Sequence, residues 1–181
     1  MNVYLLRADA NRYTGIIPTN NDDWDVFQRF DGSRLIESWS PLKVSYDVED
    51  SRALAESDFP TLATHVPVFS QRAVDFLGGL LTKNGELLPL DCQGVKYFAY
   101  NVTNLVDALD LHQSEIVRFS TGRILDITRY AFHSARLPHS NGCIFKLKQT
   151  PLMDVFVNEH FTAVVEKNCL TGFTLKQVWH S

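Results

Sequence analysis

The stretch from Val66 to Asp110 does most to limit what this chain can fold into, because it lays down a strand, a helix and two further strands in immediate succession. Val66 to Phe69 is a short β-branched and aromatic run, and Ser70 follows as a helix N-cap whose hydroxyl can accept a free backbone N–H. Ala73, Phe76, Leu77, Leu80 and Leu81 recur at i, i+3, i+4, i+7 and i+8, which predicts a helix over Gln71 to Leu81 with these five residues turned inward. Asn84-Gly85 ends it. Glu86 to Asp91 and Val95 to Asp107 then flank a Gln93-Gly94 turn, and both phases of the second run are apolar: Val95, Tyr97 and Ala99 in one, Phe98, Tyr100, Val102 and Val106 in the other. A strand covered on both faces is a central strand.

The remaining segments pack around this unit. Asn2 to Arg7 reads as an opening strand, Arg34 to Trp39 and Leu42 to Tyr46 as two more, and Glu115 to Arg118 as one short helical turn inside a polar connection. Ile124 to Leu137 and Cys143 to Leu147 flank Asn141-Gly142, a hairpin signal. In the last third, Asp154 to Asn158, a helix over Glu159 to Lys167, Leu170-Thr171-Gly172 and a strand from Phe173 to Val178 repeat the order strand, polar cap, helix, glycine, strand. The expected fold is therefore α+β, a largely antiparallel sheet with two main helices packed on it. Residues 1–181 suit one domain, in which residues 1–58 either form a small lobe or complete the sheet.

Charge separates the first third from the rest. Residues 1–60 hold eleven Asp and Glu against six Lys and Arg, whereas residues 61–181 hold ten against eleven. Trp24, Phe27 and Phe30 lie three apart within the acidic segment, which reads as a helical turn tucking aromatics into the core. A sharper reading is that Asp22, Asp23, Trp24 and Asp25, with Tyr46, Asp47, Glu49 and Asp50, present an acidic aromatic surface to a basic protein partner. Such runs, here extended by Glu56 and Asp58, are also what a solvated face looks like.

Several chemistries find no support. Glycine-rich phosphate loops, HExxH, paired cysteine ligands and G-x-S-x-G are missing from the sequence. His133 and His139 are six apart across Pro138, which is not a helical ligand spacing, so neither a metal nor a cofactor is expected; these two histidines are nevertheless where a small hydrolase or transferase site would gather. Arg118, Arg123, Arg129, Arg136, Lys146 and Lys148, with Phe132 and Phe145, invite a nucleic-acid reading, but their alternation with apolar residues places them on the wet face of strands. Cys92, Cys143 and Cys169 are odd in number and widely spaced, as reduced core thiols are. No apolar run approaches the roughly 18 residues of a membrane helix. The opening MNVYLLRADANRY lacks a basic start and a small-residue cleavage site, so a cytoplasmic location is expected.

The stretches VPVFSQRAVDFLGGL, ELLPLDCQGVKYFAYNVTNLVDALD and GCIFKLKQTPLMDVFVNEHFTAVVEKNCLTGFTLKQV together resemble the C-terminal region of immunity proteins of bacterial polymorphic toxin systems, immunity family eleven. The shared features are the Ser-capped helix, the Pro in the following strand, the Asn followed by an Asp in the long strand, and the closing Gly-Phe. The resemblance covers residues 59–179 and implies a non-enzymatic cytoplasmic protein that binds and blocks a cognate toxin domain. It carries over no functional residues, and it leaves a homo-oligomer open.

Overall fold

The computed structural model describes residues 1–47, 54–138 and 142–181. Twelve strands are found among them: β1 (Asn2–Ala8), β2 (Ile16–Pro18), β3 (Leu42–Tyr46), β4 (Val68–Ser70), β5 (Gly85–Cys92), β6 (Val95–Val102), β7 (Leu105–Val106), β8 (Glu115–Arg118), β9 (Ile124–Arg129), β10 (Ile144–Leu147), β11 (Val155–Asn158) and β12 (Phe173–His180). The two α-helices are α1 (Gln71–Leu81) and α2 (Glu159–Lys167), at the bounds read from the sequence.

The fold is α+β, with two five-stranded sheets where one was expected. One sheet has the order β12-β1-β11-β10-β7, the other β2-β3-β5-β6-β4, and β8-β9 form a separate ribbon. Most pairings are antiparallel; β10 with β7 and β3 with β5 are parallel. The repeated pattern in the sequence explains the doubling, because each copy builds its own sheet centre. In the first, β4 and β5 are joined through α1 and both pair antiparallel to β6, which lies between them. In the second, β11 and β12 are joined through α2 and both pair antiparallel to β1. The opening strand thus fills in one copy the place that β6 fills in the other.

Both helix caps form. Ser70 Oγ accepts from Ala73 N at 3.0 Å, and Asn158 Oδ1 accepts from His160 N and Phe161 N at 3.1 and 3.2 Å. Each satisfies amides that a helix start otherwise leaves open. The helices pack together and share one cluster with both sheets, in which Ala73, Leu77 and Leu81 meet Phe161 and Val165, Tyr100 and Val102 of β6, and Val155 and Val157 of β11. Tyr97 and Ala99, on the other face of β6, join a second cluster with Phe27, Phe30 and Val44. Phe156, on the other face of β11, joins a third with Tyr130, Phe132 and Phe145. Both-sided coverage of β6 follows its two apolar phases as expected.

Segment 57–59 stitches the copies together. The buried carboxylate of Asp58 accepts from Ser70 Oγ and Arg72 Nη1 at the start of α1, and from Thr171 N and Oγ1 ahead of β12. Phe59 stacks on Phe173 of β12 at 4.5 Å and meets Phe69 of β4 at 5.2 Å. Gly172 has φ +86°, and a Cβ there would lie 2.4 Å from Ser57 Oγ, so the close passage of this segment requires glycine.

Several local expectations change. Phe76 is 48% exposed, with the Arg72 guanidinium over its ring; it stands about 100° round the helix from Leu77, at the rim of the apolar stripe. The run Val95 to Asp107 is broken at Thr103 and Asn104, whose amides turn back to Asn84 O at 3.0 and 3.1 Å, and its last part changes sheet as β7. Arg34 to Trp39 contains a 3-10 turn, Ile36–Ser38, in place of a strand. Glu115 to Arg118 is a strand paired with β9, so the hairpin expected between Ile124–Leu137 and Cys143–Leu147 does not form, and β10 pairs instead with β11 and β7. Asp58 belongs to no solvated face. Cys92 and Cys143 are buried free thiols, whereas Cys169 is exposed in the loop after α2, at φ 48°.

Tyr100 and Phe76 separate these accounts by experiment. Tyr100 is fully buried and donates its hydroxyl to Leu81 O at 2.7 Å. Tyr100→Ala should cost about 3 to 5 kcal/mol in urea unfolding, and Phe76→Ala less than about 1 kcal/mol. Equal losses would contradict the packing described.

Candidate functional site

Asn21–Arg29 forms a 3-10 helix capped by Asn20, whose side chain accepts from Asp22 N at 3.2 Å. The chain has reason to turn here: Phe27 and Phe30 are fully buried, and the spacing of three brings both to one side of the tight helix. Trp24 shares that side but sits at its rim, 38% exposed and edge-on to Phe27 at 5.8 Å. Asp22 and Asp25 stand in solvent, with Asp23 half-buried. The aromatic spacing thus serves the core through two rings and leaves the third on the surface among carboxylates.

Two buried bases hold the carbonyl end of this helix. His65 Nε2 lies 2.8 Å from Phe27 O and donates to it, and burial lowers the pKa of the ring. Lys146, expected on the wet side of a strand, is wholly buried in β10 and donates from Nζ to Phe30 O at 2.6 Å. Burial brings its pKa down to about 7, against the pull of Asp31. The Asp31 carboxylate accepts from Ser33 N at 2.9 Å and is held below its ordinary range chiefly by the Ser33 hydrogen bonds. Placing lysine and histidine donors on the last carbonyls of a helix meets both their hydrogen bonds and their partial charge.

The second group of acidic candidates sits elsewhere. Tyr46 ends β3, which pairs with β2 in the register Ile16 to Tyr46 and Pro18 to Val44, so Tyr46 and the Asn21–Arg29 helix leave this pair at opposite ends. The Tyr46 hydroxyl is 3.4 Å from that of Tyr97 and its ring meets Tyr97 edge-on, so the side chain packs on the second cluster. Burial, then the hydroxyl contacts, raises its pKa. Asp47 N donates to Gly15 O at 3.0 Å. Glu49 and Asp50 lie outside the described residues.

Of the two histidines at which an enzyme site would gather, only His133 lies among the described residues. His133 Nδ1 is 3.7 Å from Asp110 Oδ2, but that carboxylate is occupied through its other oxygen in capping His112 N and Gln113 N at 2.9 and 3.1 Å. His139 lies outside the described residues. Phe132 and Phe145 are core residues and offer no stacking surface. No group of three or more His, Cys, Asp or Glu able to hold a metal is found among the described residues.

A cleft of about 510 Å³ opens between β9 and the face of β1 and β12 that turns away from the helices. Its polar centre is Asp154, which binds the Arg7 guanidinium through one oxygen and accepts the Tyr130 hydroxyl on the other. Burial, then Asp154, raises the Tyr130 pKa. Both Asp154 oxygens are engaged, and the trio ties β1 to the end of β9. Neither this trio nor the Asp58 junction is marked by local spacing, since their members lie up to 147 residues apart.

Residues 90–179 match the model of the Immunity protein family (Imm11). The resemblance seen over residues 59–179 is borne out there. No curated protein matches the chain.

The buried lysine gives a pH test. A folded pKa near 7, below the ordinary 10.5, means that the unfolded chain holds this proton more tightly. Lys146 therefore detracts from stability in full below about pH 7, and the loss fades as pH rises toward the unfolded value. Between about pH 7 and 8.5, below the range where buried tyrosines and thiols would titrate, wild-type unfolding free energy should gain a share that Lys146→Met lacks. Parallel pH profiles of the two proteins in urea unfolding would contradict the burial of the ammonium group.

Proposed function

We propose that this protein binds a cognate toxin domain of a bacterial polymorphic toxin system and neutralises it in the cytoplasm, without catalysing a reaction. The observation that carries the reading is the family match over residues 90–179, which takes in α2 with the strands before and after it and most of the third cluster. No helix among the described residues is long and apolar enough to cross a membrane. Residues 1–181 act as one unit in this account: β1 lies between β11 and β12, and β3 pairs with β5, so the acidic first third is built into both sheets.

The acidic first third is the toxin contact in this reading. Asp22, Asp23, Trp24 and Asp25 form its centre, and Asp47, Glu49 and Asp50, with Tyr46, are a second, separate candidate group in the sequence of the same acidic third. Support comes from the exposed carboxylates around Trp24 and from the buried donors that fix the helix carrying them. A rigid acidic element suits a basic active site of the kind that holds an anionic substrate, and complementary charge speeds association as well as tightening it.

The test is co-expression with the toxin domain encoded by the adjoining gene. Growth arrest should be relieved by the wild-type chain, and the purified pair should form a stable complex. Replacing Asp22, Asp23 and Asp25 together by Asn should slow association at low salt by about tenfold or more and flatten its salt dependence. Continued arrest with the wild-type chain, and no complex, would overturn the function; wild-type rates and salt dependence in the triple variant would remove this surface from it.

A further inference from the structure

The β8–β9 ribbon stands outside both sheets and presents two different faces. Ile116, Ile124 and Ile127 turn inward to the third cluster. Val117, Phe119 and Leu125 remain 43%, 50% and 47% exposed. Phe119 N donates to Arg123 O and Gly122 N to Phe119 O, each at 2.9 Å, with Gly122 at φ +84°, so Phe119 stands at the base of the turn that joins the two strands. A two-stranded ribbon is marginal by itself, and an outer face of large apolar side chains adds nothing to its own stability.

Charge and position narrow what covers that face. Arg118, Arg123 and Arg129 stand on the ribbon against Glu115 and Asp126. Arg129 is paired with Glu115 at 2.9 Å, while Arg118 and Arg123, which bracket the turn, have no carboxylate partner among the described residues. The edges are poorly suited to adding a strand, because the register shifts twice within the short pairing, and such bulges blunt an edge. Aromatic and arginine side chains together are what interface centres favour. The ribbon also lies inside the family-matched residues 90–179 and carries three of the six exposed large hydrophobics described there, whereas the acidic helix lies outside the match.

We propose that the outer face of the β8–β9 ribbon is a second toxin contact, with Phe119 entering an apolar depression on the toxin ringed by carboxylates that Arg118 and Arg123 engage. The assignment rests on the immunity reading above and gives it an apolar anchor distinct from the acidic helix. Phe119 supplies desolvated contact and the two arginines supply orientation, so truncating the ring acts on dissociation and reversing the charges acts on association.

The test uses the toxin domain encoded by the adjoining gene as probe, with Phe119→Ser, Val117→Thr with Leu125→Thr, and Arg118→Glu with Arg123→Glu as variants. Phe119→Ser should raise Kd by about 30-fold or more, the level of a hot-spot residue, through faster dissociation. The charge reversal should lower the on-rate by about tenfold at low salt, with the thermal midpoint close to wild type in every variant. Affinities within about twofold of wild type in all three variants would overturn the ribbon while leaving the immunity reading standing. Failure of the wild-type chain to bind the toxin would overturn both. Loss of self-association, or of binding to a single-stranded oligonucleotide, with toxin affinity unchanged, would overturn the ribbon in favour of a second copy or a nucleic acid.

Discussion

The carboxylate of Asp58 is the junction on which the arrangement of the two halves depends. Its oxygens receive donors from the start of α1 and from the loop that leads out of α2, two places that belong to different strand-helix-strand copies. A buried carboxylate with its donors in place is satisfied, and one that lost them would bear the full desolvation penalty, so the geometry of all these segments is fixed together. Phe59, the next residue, extends the same junction into the core by lying between Phe69 and Phe173. The charge alone would be costly to bury; the adjoining aromatic burial and the hydrogen bonds offset that cost.

From that junction the layering follows. One cluster lies between the two copies and around both helices, and each sheet turns its other face to a separate cluster. The acidic helix caps one outer cluster and the β8–β9 ribbon covers the other. The proposed contacts therefore occupy elements peripheral to the central cluster, where a surface can differ among relatives without disturbing the junction.

Where periodicity and capping act over a few residues, the chain could be read directly. Ser70 and Asn158 mark both helix starts, the alternation in Val95 to Val102 gives a strand buried on both faces, and the twofold order of elements is real. What escaped is what depends on distant partners. Asp58 and Lys146 look like surface charges until residues far along the chain supply their partners. Phe76 has the right residue type but lies at the rim of its stripe, and Thr103-Asn104 interrupts an apolar run because Asn84 O attracts both amides. Glu115 to Arg118 offered a helical spacing, yet Ile116 and Val117 between the charges are β-branched and pair with β9. Of the candidate site, the spacing of three pointed to the burial of Phe27 and Phe30 but left Trp24 open between core and surface, and the inward packing of Tyr46 and the ribbon's exposed face depend on which side of a strand meets a neighbour.

The central claim is that a toxin domain is held at two peripheral elements while the junction between the copies stays as it is. Amide hydrogen exchange of this protein, alone and with the toxin domain of the adjoining gene, tests that most directly. The account predicts slower exchange on binding in residues 115–129 and in Asn21–Arg29, with α1 and α2 unchanged. Slowing confined to α1, α2 or the cleft lined by Arg7 and Asp154, with the two peripheral elements unaffected, would contradict it.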